Sequence, residues 1–317
     1  MLNHLRRCRE HVALLAILAG IIVIFGLANE RFFSAATFRS VANQIPTLTL
    51  AATGMTLVLI IGGIDLGIGS VVALGGAVFG VAVMDWHWPV LPSAGLAVGV
   101  AALTGFFNGA VVAGLRVPSF IVTLGTLEMA RGLAYLTTDS QTKYLDGRLD
   151  ALVTPLGGLL ITPAALLAVG TVCFAQLVLT RSVLGRQMVA IGTNEAAAVL
   201  AGLPAGRVKI IVFTLAGGLG GLAALCSAAR LGAADPNGGA GLELSAIAAA
   251  VIGGTSLSGG HGSVVRSFFG VLIIATLGAG LAQAGASEPL KRLVTGTVIV
   301  LAVIADGLRK KGAPLNP

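Results

Sequence analysis

The feature that most limits the fold of this chain is a long apolar region that contains a single charged residue. Between Ser40 and Met84 only Asp65 is charged, and glycines stand at positions 62, 63, 67 and 69 around it. A carboxylate is costly in hydrocarbon, and a helix can break at membrane depth only where protein or a water-filled cavity covers the break. Residues 61–70 therefore predict either a discontinuous helix, as at transporter sites, or a polar turn between two membrane helices.

The remaining sequence repeats this apolar character along its whole length. Of its 317 residues, 56% are hydrophobic and 10% are charged, whereas a soluble domain has about 25% charged residues. Since about 20 apolar residues cross a bilayer, we expect an all-α, polytopic membrane protein with about ten transmembrane helices, interrupted or re-entrant in places, in a single integral-membrane domain, 1–317. The predicted segments are 12–28, 43–61, 67–84, 91–113, 118–138, 161–180, 209–229, 245–260, 265–284 and 290–305, of which 245–260 either spans or re-enters.

The basic residues predict the orientation of these segments. Positive residues accumulate at the cytoplasmic ends of membrane helices, and an even number of crossings puts both termini on one side. We therefore expect both termini and the loop 181–207 to be cytoplasmic. The net charge of +7 does not indicate nucleic-acid binding, because no aromatic residues accompany the basic clusters. These clusters are Arg6, Arg7 and Arg9; Arg181, Arg186, Arg207 and Lys209; and Arg309, Lys310 and Lys311.

Four polar residues in membrane segments are candidates for a translocation pathway: Asp65, Asn108, Glu128 and Arg131. Glu128 and Arg131 are three residues apart and share one helix face, so they either form a structural ion pair or line a hydrophilic path. Asn108 either bonds to a neighbouring helix or contacts the transported molecule.

A short helix is predicted in the cytoplasmic loop. Asn194 is suited to the N-cap and Glu195 to the first turn, and Gly202 ends the helix. The predicted helix is too short to be stable alone. It either docks into a groove of a partner or packs on the ends of its own membrane helices. Its apolar stripe comprises Ala196, Val199, Leu200 and Leu203.

Two stretches of the sequence resemble each other. Residues 61–66 and 252–257 share the pattern Ile-Gly-Gly-x-x-Leu, and Gly-Ser-Val-Val occurs at 69–72 and again at 262–265. The similarity indicates either an internal repeat, which is common in transporters, or chance in a chain rich in glycine and valine.

The sequence lacks the motifs of several chemical functions. There is no Gly-x-x-x-x-Gly-Lys-Ser/Thr motif for ATP, no metalloprotease or hydrolase motif, and the four histidines are scattered. The three cysteines have no metal-ligand spacing. We expect no catalytic residues, no metal and no cofactor of its own.

Several motifs, in this order, resemble those of permease subunits of monosaccharide ATP-binding-cassette (ABC) importers of the ribose, xylose and arabinose type, in the branched-chain amino-acid/ribose permease superfamily. They are Gly62-Gly-Ile-Asp-Leu66, Phe107-Asn-Gly109, Pro118-Ser-Phe-Ile-Val-Thr-Leu-Gly-Thr126, Ile191-Gly-Thr-Asn194, Pro236-Asn237 and Gly253-Gly-Thr-Ser-Leu-Ser-Gly-Gly260. Family members often have Ser, Asp and Arg where this chain has Gly67, Ser245 and His261.

The resemblance implies the ABC importer permease fold in the bacterial inner membrane and a set of partners. These are a second permease copy, identical or related, an ABC ATPase with two nucleotide-binding halves, which uses the ATP, and a periplasmic sugar-binding protein. It also implies that Asn194–Leu203 is the coupling helix that contacts the ATPase. The implied coupling residues are Gly192, Asn194, Glu195, Ala197, Ala198 and Gly202.

The predicted function is translocation of a monosaccharide into the cytoplasm, without covalent chemistry by this chain. A branched-chain amino-acid ABC permease is an alternative of the same class. An ion-coupled secondary transporter using Asp65, Glu128 and Arg131 is an alternative of another class, and an intramembrane enzyme is disfavoured by the missing motifs.

Thiol labelling tests the predicted topology. In a variant without native cysteines, Glu195→Cys should be protected from a membrane-impermeant thiol reagent added outside intact cells, and labelled after the cells are opened. Strong labelling of Glu195→Cys in intact cells would contradict a cytoplasmic loop.

Overall fold

Helices make up nearly all of the regular structure. The computed structural model describes residues 2–157 and 161–311. Outside the helices it contains a 3₁₀ turn, Glu30–Phe33, and two short strands, β1 (Lys143–Tyr144) and β2 (Ala233–Ala234). The helices are α1 (Leu2–Ala28), α2 (Ala35–Ile60), α3 (Ile68–Met84), α4 (Val90–Leu115), α5 (Ser119–Thr138), α6 (Asp150–Val153), α7 (Pro163–Arg181), α8 (Val183–Thr193), α9 (Glu195–Leu200), α10 (Ala205–Leu231), α11 (Leu242–Ile252), α12 (Val264–Gln283) and α13 (Glu288–Lys311).

Each of the ten predicted segments overlaps one of these helices. Within the described residues, five helical stretches are long and apolar enough to cross a membrane. They are Val41–Ile60, Val90–Leu115, Pro163–Arg181, Ala205–Leu231 and Val264–Gln283.

The eighth predicted segment, 245–260, does not form one continuous helix. Helix α11 ends at Ile252 and a loop continues to Ser263. Its 11 residues rise only about 16 Å, roughly half of the hydrocarbon core. The helix therefore cannot span by itself, because the glycines at 253 and 254 end it early.

Hydroxyl groups begin several of the helices. Ser34, Thr162, Ser182 and Ser263 each accept a hydrogen bond from the backbone N–H three residues later. These bonds satisfy N–H groups that have no partner within the helix.

Helix α10 lies at the centre of the bundle and packs against α2, α3 and α4. Its contact with α4 depends on glycine, because a Cβ at Gly105 would overlap the carbonyl group of Phe213, and a Cβ at Gly217 would overlap that of Ala101. Such small residues let two helix backbones approach closely in a membrane.

At the opposite end of the bundle from α8 and α9, strands β1 and β2 pair antiparallel, with Lys143 opposite Ala234. Lys143 Nζ lies 2.7 Å from Asp85 Oδ2, just after α3. The strand pair and this ion pair tie together the ends of α3, α5 and α10.

The melting temperature of glycine variants tests the close contact between α4 and α10. Gly105→Ala should lower the melting temperature in detergent, because overpacking costs about 1–3 kcal/mol. Gly99→Ala is the matched control on the same helix, since its Cβ would meet nothing within 4 Å. The control should be neutral or stabilising by up to about 1 kcal/mol through helix propensity. Equal melting temperatures for the two variants would contradict the packing.

Candidate functional site: two helix breaks and a short exposed helix

The break after α2 is built around a glycine in the left-handed conformation. Gly62 has φ +77°, a value that residues with a Cβ rarely adopt. Its N–H bonds to the Leu59 carbonyl at 2.9 Å, and the N–H of Gly63 bonds to the Val58 carbonyl at 2.9 Å. This pair of bonds is the usual glycine ending of a helix.

The loop that follows is hydrogen-bonded mostly by side chains of α5. The N–H of Ile64 donates to Ser119 Oγ at 2.9 Å, and the N–H of Leu66 donates to Thr123 Oγ1 at 3.0 Å. Asp65 is only 2% exposed, and its Oδ1 accepts the Gly67 N–H at 2.9 Å. Asp65 thus faces protein and braces the turn that leads into α3.

A second break follows α11, and this helix ends with the same hydrogen-bond pattern as α2. Gly254 has φ +79°, its N–H bonds to the Val251 carbonyl at 2.8 Å, and the N–H of Thr255 bonds to the Ala250 carbonyl at 2.9 Å. The shared geometry is one residue out of register with the sequence similarity, which aligns Gly254 with Gly63 instead of Gly62. The similarity therefore reflects a common helix ending and not an exact residue-by-residue repeat.

The two breaks meet the end of α8 at a surface that we name the glycine junction, formed by Gly62, Gly192, Gly259 and Gly260. The Gly260 N–H donates to the Ile60 carbonyl at 3.0 Å. A Cβ at Gly192 would overlap that carbonyl, and one at Gly259 would lie 2.7 Å from the Gly192 carbonyl oxygen. Gly192 therefore packs against the breaks within the protein.

Helix α9 follows directly and is capped as predicted, since the Ala197 N–H donates to Asn194 Oδ1 at 3.0 Å. Its predicted apolar stripe is divided between two surroundings. Of the stripe residues, Leu203 packs against the core, whereas Leu200 is 89% exposed. Ala198, which is not part of the stripe, is buried. Ala196, Ala197 and Val199 are also exposed, and Gly202 has φ +83°.

An ion pair that the sequence analysis missed fixes α9 to α10. Lys209 Nζ lies 2.6 Å from Glu195 Oε1. The two residues are 14 positions apart in different helices, so helical spacing alone could not reveal the pair.

A cavity of about 780 Å³ opens beside α9. It extends to the break after α2 and to the connection between α4 and α5. The cavity thus brings α9, the glycine break after α2 and the start of α5 to one surface. Its charged and polar lining residues are Arg116, Ser119, Glu195, Arg207 and Lys209.

The predicted ion pair between Glu128 and Arg131 is absent among the described residues, so this interpretation is wrong. Arg131 instead donates from Nη1 to the carbonyls of Pro236 and Gly238, at 2.6 and 2.8 Å. Glu128 is exposed on α5. The loop before α11 folds back against α5, and its carbonyls take the place of the carboxylate.

Asn108 is fully buried between α4 and α5, where its Oδ1 accepts the Thr126 hydroxyl. This contact is the interhelical hydrogen bond that the sequence suggested as one of two roles. Asp65, Asn108 and Glu128 therefore have separate surroundings. Asp65 and Asn108 are buried, whereas Glu128 is exposed.

Five apolar helical stretches long enough to cross a membrane, among the described residues, indicate a multi-pass membrane protein. The chain belongs to the family described as branched-chain amino acid transport system, permease component, whose model matches residues 37–303.

Curated relatives cover nearly the whole chain. The ribose import permease protein of Escherichia coli strain K12 is 35% identical over 95% of this chain and 94% of its own length. The ribose import permease protein of Bacillus subtilis is 36% identical over 92% of this chain and 91% of its own. The fructose import permease protein of Rhizobium meliloti is 31% identical over 95% of this chain and 86% of its own length. No solved structure matches the chain.

Substitution of Asp65 tests whether its carboxylate braces the first break. Asp65→Leu should insert but lose uptake, because the Gly67 N–H is left without a partner at a cost of about 1–3 kcal/mol. Asp65→Asn keeps an acceptor oxygen and should retain more uptake and a higher melting temperature. Exposed Asp139→Asn is the control. Normal uptake by Asp65→Leu would mean that the carboxylate is dispensable.

Proposed function

We propose that this chain is the transmembrane permease subunit of an ABC importer that moves a monosaccharide from a periplasmic binding protein into the cytoplasm. The observation that carries the proposal is the similarity, over more than nine tenths of the chain, to permeases named for ribose and fructose import. The bundle would cross the inner membrane about ten times, with both termini in the cytoplasm.

Two features support the proposed partners: the sequence lacks a phosphate-binding loop, and α9 has exposed apolar residues. Because the sequence has no phosphate-binding loop, ATP must be hydrolysed by a separate ATPase subunit. The exposed Ala197, Val199 and Leu200 on α9 offer a small apolar surface to a groove of that subunit. A second permease copy would complete the membrane unit.

The mechanism is mechanical coupling. When ATP binding closes the ATPase, α9 moves with it, and the short connection 201–204 passes that movement directly into α10. The Glu195–Lys209 ion pair adds only a weak contact between the two helices. The glycine junction passes it from α8 to the ends of α2 and α11, because the backbones there are in direct contact. Access to the central path would then alternate between the two sides of the membrane.

The alternative of the same class, branched-chain amino-acid import, is not supported by the curated relatives, which are named for ribose and fructose import. Sugar import and amino-acid import are separated by ligand binding to the secreted partner and by uptake in vesicles that contain all three components. Ribose or fructose uptake that requires ATP supports the proposal. Leucine uptake, or sugar uptake that requires only an ion gradient, contradicts it.

Substitution on α9 tests the ATPase contact. Ala197→Arg should insert normally but lose uptake and ATPase co-purification, because an unpaired charge buried in an interface costs about 3–5 kcal/mol. Glu195→Ala should have a small effect, since an exposed ion pair contributes about 0–1 kcal/mol.

Thr180→Arg is the matched control for Ala197→Arg, because it adds the same charge at an exposed position one residue before the end of α7. The control should bind the ATPase and transport. If Ala197→Arg also binds the ATPase and transports at the normal rate, α9 is not the coupling helix.

A further inference from the structure

Glu128 occupies an unusual position for a charged residue. It lies at the middle of α5, whose 20 residues run from Ser119 to Thr138, and its side chain is exposed on the protomer surface. It has no ion-pair partner within residues 2–157 and 161–311. A carboxylate at this depth is too costly to face lipid, so it must face water or another polar surface.

The surface around Glu128 is open because small residues flank it. Gly125 and Gly132 stand three residues before it and four after it, and a Cβ on either would meet nothing within 4 Å. Residues at this spacing share one helix face. Glu128 therefore stands between two small residues on α5, where a small polar molecule can approach its carboxylate.

Two more polar groups lie towards the outer end of the same face. Tyr135 is seven residues after Glu128, two helical turns away, and its hydroxyl donates to Asn237 Oδ1. Asn237 is exposed, and its N–H is held by Asp235 Oδ1 at 2.9 Å. The two Arg131 hydrogen bonds to the adjoining loop hold Asn237 against α5.

We propose that Glu128, Tyr135 and Asn237 form a contact site for the hydroxyl groups of the sugar as it passes between two copies of this chain. The site rests on the proposed function. The carboxylate accepts hydrogen bonds from sugar hydroxyls, the phenol and the amide both donate and accept, and the tyrosine ring offers an apolar face to sugar C–H groups. Arg131 is a positioning residue, whereas Asp65 and Asn108 are buried within the protomer and lie outside this site.

Accessibility of position 128 to water is the first test, and it needs no knowledge of the sugar. In the complete importer without native cysteines, Glu128→Cys should react with a charged methanethiosulfonate reagent about tenfold faster than Leu133→Cys, because lipid excludes the reagent. Leu133 is the matched control, being 49% exposed on another face of the same helix, apolar and five residues from Glu128. Equal or slower labelling at position 128 would overturn the site.

Transport by the complete importer is the second test. Glu128→Leu should reduce the initial rate of sugar uptake about tenfold, because it removes hydrogen bonds to a charged group. Tyr135→Phe should reduce the rate less, because it removes a hydrogen bond to a neutral group. ATPase co-purification and ATP hydrolysis should be unchanged, and Glu128→Asp should restore part of the uptake. Leu136→Ala is the control and should transport normally.

The outcomes separate this site from the function on which it rests. Normal uptake by both Glu128→Leu and Tyr135→Phe would overturn the site and leave the importer intact. Failure of the wild-type complex to bind the ATPase or to use ATP would instead overturn the proposed function. Loss of ATPase co-purification in Glu128→Leu would show a structural role and also overturn the site.

Discussion

Every backbone N–H and C=O that lies at membrane depth must find a partner inside the protein, and the two helix breaks meet this requirement through each other and through α5. The amides at 62, 63, 64, 66 and 67 are all hydrogen-bonded, to helix carbonyls, to Ser119, to Thr123 and to Asp65. The second break donates the Gly260 N–H to the first. Without these bonds neither α3 nor α11 could begin or end where it does.

The same requirement explains the concentration of glycine at the end of the protein where α2 and α8 terminate. Gly192, Gly259 and Gly260 bring three backbone segments so close that a Cβ at Gly192 would overlap the carbonyl of Ile60. Because these backbones are in direct contact, we propose that a displacement of α9 reaches both breaks through the end of α8. Away from this junction, Glu128 and Tyr135 lie on one face of α5 and Tyr135 contacts Asn237 of the loop before α11, where we propose the contact with the sugar.

Local sequence patterns were sufficient to predict some structural elements, whereas others depend on contacts between distant residues. Apolar runs predicted the helix positions, and Asn194 and Gly202 predicted the bounds of α9 closely, because caps and stops depend on neighbouring residues. The pairing of Glu128 with Arg131 was wrong, because the loop at Pro236, about a hundred residues away in sequence, supplies the acceptors for Arg131. The Glu195–Lys209 pair and the one-residue shift between the two breaks likewise depend on tertiary contacts.

The central claim is that residues 61–67 form a fixed loop, held by hydrogen bonds within the protein, and not a solvated turn. Hydrogen exchange of the purified protein, followed by mass spectrometry on peptides that cover α2 and this loop, measures it directly. A hydrogen-bonded loop predicts exchange as slow as that of the last turns of α2. Exchange of the loop amides as fast as that of a frayed chain terminus would contradict it.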